Sequence, residues 1–230
     1  MKIPPEEITL FQYALKNWAW RFRRDQEEPE DLHTTPCPLL FTSTALLRLV
    51  YVRLLMDIGP TRSLSTWDPE TIARSIDRSV PVQRSEGATS AAFHCAHILS
   101  IPIKLGIDIT KTHVRYWPLE HALCSLECAV LLARWLESVL VSALRPPLSK
   151  LEEQVLIFIK QLVTKWYQSG SPGSLLKQEI PISAAVVMIW ARLYQSNSEW
   201  GTIDLIGRSF AAYAELLKSR HVNLSYVNEG

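Results

Sequence analysis

The chain has 230 residues, of which 47% are hydrophobic and 20% charged, which is enough for one sizeable core in one domain or two closely packed halves. Its 24 Lys and Arg residues balance 23 Asp and Glu residues, so no net field draws it to nucleic acid or to an anionic membrane. The N-terminus lacks an apolar run of signal-peptide length, and Glu and Arg interrupt the most apolar segments, which predicts a cytoplasmic protein without a membrane span. The four cysteines are therefore interpreted as reduced thiols.

The first third of the chain predicts three helices. One apolar face of the first helix is formed by Phe11, Leu15, Trp18 and Phe22. This helix should end before the acidic turn "DQEEPED", and the second, "PLLFTSTALLRLVYVRLLMDIG", should end at the Gly-Pro pair that follows it. The third should begin within "WDPETIARSI", because Asp68 is a good N-cap and Pro69 suits the first helical position.

Five further helices follow from the same periodicity. Pro102 should kink or end the helix in "ATSAAFHCAHILSIPIKLGID". The next helix should begin near Trp117, and the one after it near Ser149, where "SKLEEQ" resembles a capping box. The last two should span residues 181–195 and 201–219.

Strand alternation is almost missing from the sequence, so the predicted fold class is all-α, a single domain of roughly eight packed helices. Residues 1–37 are predicted to form an N-terminal helix and an acidic loop, and residues 38–230 the helical domain.

Sequence motifs for cofactors are missing. With only 8 Gly, the chain has no phosphate-binding loop and no dinucleotide-binding turn, and neither H-E-x-x-H nor C-x-x-C occurs. The acids of "EEPED" surround a proline in a predicted loop, which disfavours a magnesium-dependent terpene cyclase. No cofactor and no metal are predicted.

The segment "WPLEHALCSLECAVLLARWLESVL" (117–140) has two interpretations. His121, Cys124 and Cys128 have spacings of three and four residues, so one helical face could aim them at a metal ion, with His94 and His97 as further ligands. Structural zinc sites, however, usually draw ligands from short loops, and unpaired Cys is among the most buried residue types. A packing face of small residues is the preferred interpretation.

Four segments resemble consecutive blocks of the fungal-specific transcription factor domain: "PLLFTSTALLRLVYVRLLMDIGPTRSLSTWDPETIA", "HCAHILSIPIKLGIDI", "WPLEHALCSLECAVLLARWLE" and "AAVVMIWARLYQSNSEWGTIDLIGRSFAAYAELL". The resemblance covers residues 38–218 and is most specific in "LSIPIKLGI" and "HALCSLECA". It implies a helical regulatory region in which His121, Cys124, Glu127 and Cys128 are packing positions. Family members carry zinc ligands before this region, and nothing similar precedes Phe11, so we expect no DNA-binding module and no direct contact with nucleic acid.

Three classes of function fit this resemblance. One is a regulator that acts through a homodimer, through a heterodimer with a full-length regulator, or as a small-molecule sensor, and such a protein would be nuclear. Another is a domain that binds an apolar metabolite of fungal secondary metabolism and catalyses its cofactor-independent, Diels-Alder-type cyclisation, on a terpenoid or polyketide intermediate. The third is a scaffold. The metabolite-binding cyclase is the preferred prediction, because a domain without a DNA-binding module needs a use that does not require DNA. Pericyclic closure is the preferred reaction, because shaping a substrate for it needs little acid-base chemistry.

A pocket for such a substrate is predicted between the helix with His94 and His97, the helix at 117–140 and the helix "PISAAVVMIWARLY". His94, His97 and His121 could donate to a substrate carbonyl as catalytic residues. The predicted substrate-binding residues are Arg53, Arg115, Tyr116, Trp117, Trp190 and Tyr194. The aromatic residues supply apolar surface with polar tips, and the arginines could hold a carboxylate. For each of these residues the commoner role is core packing or an interhelical salt bridge.

Overall fold

The computed structural model describes residues 4–24, 38–55, 63–78, 81–105, 119–140, 147–168, 180–195 and 200–228. In these ranges the chain forms eight α-helices and no strand, which confirms the all-α prediction. The helices are α1 (Pro5–Arg24), α2 (Pro38–Leu55), α3 (Pro69–Arg78), α4 (Glu86–Leu105), α5 (Leu119–Leu140), α6 (Lys150–Gln168), α7 (Ile182–Tyr194) and α8 (Gly201–Asn228), with a short 3₁₀ helix at Leu64–Thr66 before α3.

Two helix starts predicted from local sequence are confirmed by their hydrogen bonds. The Thr71 amide donates to Asp68 Oδ2 at 2.9 Å, and Pro69 is the first residue of α3. At α6 the Glu152 amide donates to Ser149 Oγ at 3.2 Å, while the Ser149 amide donates to Glu152 Oε2 at 2.8 Å. This reciprocal pair is a capping box, which satisfies amides that no helical carbonyl reaches.

The predicted helix ends agree less well with the structure than the predicted starts. Helix α1 reaches Arg24, and the segment "DQEEPED" that was predicted as an acidic turn lies outside the described residues. Helix α4 passes through Pro102 and ends at Leu105. The predicted end of α8 at residue 219 is wrong, because the helix continues to Asn228. No Gly or Pro occurs between 208 and 228 to stop it.

Helix α5 lies at the centre of the fold. It packs against α2, α4, α7 and α8, and most of its 22 residues are buried, including Trp135, Leu132 and Ala129. The segment considered above as a possible metal site is therefore the innermost helix of the core. Burial of its apolar side chains is a main source of stability.

Around α5 the remaining helices pack in pairs. Helices α7 and α8 form the closest pair, α3 packs on α8, and α6 packs on α4. Helix α1 packs mainly on α2, where the Tyr51 hydroxyl donates to the carbonyl of Gln12 at 3.4 Å. No helix in the described ranges is long and apolar enough to span a membrane.

Candidate functional site

Polar side chains meet where α2, α4 and α5 pack together. Arg53 Nε donates to Glu127 Oε2 at 2.6 Å. Glu127 is 5% exposed, and a carboxylate at that depth requires a cationic partner to offset its lost hydration. Arg53 therefore joins α2 to α5, and a substrate carboxylate would have to compete with Glu127 for it.

Two cysteines of this region, Cys95 and Cys128, contact each other. Cys95 of α4 and Cys128 of α5 are buried, as is Cys124, and none of the three forms a disulfide. The hydrogen bond between the thiols of Cys95 and Cys128, together with burial, raises the pKa of Cys128 well above its usual value. A protonated thiol is a poor metal ligand and a poor nucleophile. Among the described residues, no three His, Cys, Asp or Glu side chains converge as a metal site.

His94 of α4 faces α2. Its ring stacks on that of Tyr51, with centroids 4.7 Å apart and planes 11° from parallel. Burial, and secondarily the charge of Arg48, lowers the pKa of His94 to about 4. The imidazole is therefore neutral at physiological pH, so it could share a hydrogen bond but would not act as a cation.

His97, one turn further along α4, faces α6. Its ring lies edge-on to Phe93 at 4.4 Å between centroids and 5.1 Å from the ring of Phe158. Burial is the main cause that lowers its pKa. His94 and His97 therefore contact different neighbouring helices, and each half-buried imidazole packs against aromatic rings.

His121 is almost completely buried in the first turn of α5, and desolvation lowers its pKa to about 3. Trp190 and Tyr194 of α7 are also buried, and their rings stack at 6.1 Å. Burial raises the pKa of Tyr194, a rise that the Ser125 hydroxyl beside it opposes. The side chains predicted to line a pocket on α5 and α7 thus belong to the packed core.

Helix α5 packs against both α4 and α7, whereas among the described helices α4 and α7 share no extensive contact. The pocket between these three helices stays a prediction. Arg115, Tyr116 and Trp117 lie outside the described residues. One polar atom of the predicted set is notable: Trp190 Nε1 is buried and has no hydrogen-bond acceptor in the described part of the chain.

A cleft of about 530 Å³ lies between the first turns of α4 and α6, and it is lined by Arg84, Ser85, Glu86, Thr89 and residues 149–152. Arg84 donates to both carboxylate oxygens of Glu152, at 2.9 Å and 2.6 Å. This pairing is the main cause that lowers the pKa of Glu152 to about 2. The opposite charges neutralise each other, so the cleft offers no excess charge to an ion. Sequence reasoning missed it, since the arginine and the capping box are 68 residues apart.

The outer side of α1 carries exposed apolar side chains, of which the sequence had indicated Phe11 and Trp18 as part of an apolar face, but not their exposure. Its large apolar side chains keep much of their surface exposed: Leu10 69%, Phe11 51%, Tyr13 67%, Trp18 44% and Trp20 61%. Half-buried Ile8, Gln12 and Leu15 form the opposite side. The face that the sequence predicted as apolar is therefore only partly covered by the fold. These five exposed side chains are called the α1 outer face below.

Comparisons with curated proteins and with solved structures found no match for the chain. The family described as the fungal transcription factor C-terminal domain matches residues 57–212, which is more than half of the chain and lies within the 38–218 segment of the resemblance. The match covers α3 to α7, including the buried centre of the fold. The chain therefore belongs to the family of fungal transcription factor C-terminal domains.

Proposed function

We propose that this chain is a regulatory domain that controls transcription by binding a protein partner through the α1 outer face. Its membership of a transcription factor family gives it an origin in a regulatory region. Such a domain needs no chemistry of its own, because its task is to bring together or release other proteins. In this role the protein would work in the nucleus.

The α1 outer face is the observation that carries this proposal. Five large apolar side chains on one helix, three of them Trp or Tyr, are left largely exposed. Large apolar side chains exposed together on one helix are costly in water and can mark a binding site. Tyr and Trp are enriched in protein interfaces because their rings supply apolar area while their polar tips tolerate the rim.

A reporter assay in a fungal host tests this proposal. The chain, fused to an unrelated DNA-binding module, should change transcription of a reporter gene, and the double substitution Leu10→Ala with Tyr13→Ala should remove most of that change. Ile157→Ala is the matched control, because Ile157 is 55% exposed on α6, away from α1. Equal reporter activity for the α1 variant and the control would refute a role for α1.

A second candidate function is the binding of an apolar metabolite, followed by its cofactor-independent cyclisation. The indole N–H of Trp190 favours it, since a buried donor without an acceptor is costly and a ligand carbonyl would satisfy it. The neutral imidazoles of His94, His97 and His121 could then act as additional donors. Arg53, Arg115, Tyr116, Trp117 and Tyr194 would complete the substrate-binding set.

Thermal shift with a panel of linear polyenes and fused-ring terpenoids tests the second candidate. A binding compound should raise Tm of the wild-type chain, and Trp190→Phe, which keeps an aromatic ring but removes the N–H, should lose most of that increase. Product analysis of the incubated polyenes would reveal ring closure. No compound-dependent change in Tm across the panel would count against this candidate.

A further inference from the structure

We infer that α1 and α2 form a detachable unit, which leaves the rest of the fold while α3 to α8 stay folded. The inference goes beyond the proposed function, because it does not depend on what binds the α1 outer face. It follows from how little apolar surface the unit buries, from the kind of contacts that hold it and from the boundary of the family match.

The described side chains of α1 and α2 contribute little to the apolar core. None of those in α1 is fully buried, and in α2 only Val52 is. Helix α7 is shorter than α2, yet ten of its 13 residues are buried. Burial of apolar side chains is the main stabilising term of a fold. The described side chains therefore give the unit a weaker hold on the core than α7 has.

Two of the contacts that hold α2 lie near the surface and involve polar groups. The Tyr51 ring stacks on that of His94 of α4, and both residues are half-buried. Arg53 pairs with Glu127 of α5 at 2.6 Å, and the Arg53 side chain is 36% exposed. When such a pair separates, both charges regain hydration, which offsets much of the attraction that is lost. Detachment of α2 thus needs less free energy than the exposure of an apolar surface of the same size.

The family match gives an independent boundary at the same place. It begins at residue 57, just after α2, and covers α3 to α7. Among the described helices, α1 has its extensive contact with α2, and units that open separately often coincide with such supersecondary motifs. Detachment would return the Glu127 carboxylate, now 5% exposed, to water. The docked unit is thus a cover over this charge.

Hydrogen exchange of the full chain, measured by mass spectrometry under conditions where rates report the populations of open forms, tests the inference. Amides along the whole of α2 should exchange about a hundredfold faster than those of α5, because they need only the detachment of the unit. Ile206→Val removes a buried methyl group from α8, so it should speed the exchange of α5 several-fold and leave α2 unchanged. Arg53→Ala leaves Glu127 unpaired in the docked state, so it should speed both α2 and α5 by the same factor, roughly thirtyfold.

Arg208→Ala is the matched control for the loss of an arginine, because Arg208 forms an exposed pair with Asp204 on α8, and it should change neither rate appreciably. Equal exchange rates in α2 and α5 would overturn the inference, because α2 would then open only when the whole domain unfolds. An equal response of α2 and α5 to Ile206→Val would overturn it for the same reason. Fast exchange confined to the ends of α2 would also overturn it, since the ends of a docked helix fray without detachment.

Discussion

The closeness of α7 and α8 at Gly207 leads to a sharp prediction. A Cβ atom at Gly207 would lie 2.9 Å from the backbone carbon of Tyr194 and 2.9 Å from the backbone nitrogen of Gln195. Neither atom can rotate away, so the helices would have to separate by about half an ångström. Overpacking of this kind costs roughly 1–3 kcal/mol, and we take the upper end because the added Cβ would meet two backbone atoms. Alanine recovers about 1 kcal/mol of helix propensity.

We therefore expect Gly207→Ala to lower the free energy of unfolding by about 2 kcal/mol, and Tm by roughly 4–8 °C in a domain of this size. Urea unfolding followed by circular dichroism measures the first and calorimetry the second. Gly201→Ala is the matched control on the same helix, since the nearest atom to its Cβ is a side-chain carbon of Trp67 at 3.9 Å. If Gly207→Ala were as stable as the wild type, the close approach of α7 and α8 would be wrong.

Three further predictions concern buried and paired charges. Arg53→Ala should lower the free energy of unfolding by about 2 kcal/mol in urea. The loss should be smaller than for a fully buried pair, because the Arg53 side chain is 36% exposed. Arg208→Ala, which breaks an exposed pair, should cost less than about 0.5 kcal/mol. The pKa of Glu152 is lowered to about 2 in the folded chain, so the stability that this carboxylate contributes should be lost as pH falls from 4.5 towards 2. Arg84→Ala should reduce the change of the urea midpoint with pH in this range. An unchanged pH dependence of the midpoint would contradict the pairing. The pKa of His94 is lowered to about 4, so the unfolded chain binds the proton first and the free energy of unfolding should fall as pH drops from 6.5 to 4. His94→Gln should reduce this loss of stability. An equal loss in the variant and the wild type would argue against a buried neutral imidazole.

Features that depend on a few neighbouring residues could be predicted from the sequence. The N-cap at Asp68 and the capping box of Ser149 and Glu152 each close within four residues, so the local sequence is sufficient. The end of α8 could not be predicted in the same way, because no Gly or Pro lies between residues 208 and 228, and helix boundaries without such a signal are hard to place from sequence.

The candidate site depended on contacts between distant residues. Arg53 was predicted to bind a substrate carboxylate or to form an interhelical salt bridge, and only the packing of α2 on α5 brings it to Glu127, 74 residues away. The periodicity of α1 indicated an apolar face but carried no information about what covers it. The same limit applies to Trp190 and His121, whose apolar surroundings agree equally with a core and with the wall of a cavity.

The position of α2 has a consequence for communication within the domain. Among the described helices, α1 has its extensive contact with α2, and α2 in turn packs on α4 and α5. A protein bound to α1 would therefore act on the interior mainly through α2, which the ion pair of Arg53 and Glu127 joins to α5. A packed interior shifts between discrete arrangements and does not deform smoothly. A movement of α2 is therefore the way in which binding at α1 would change the packing around α5.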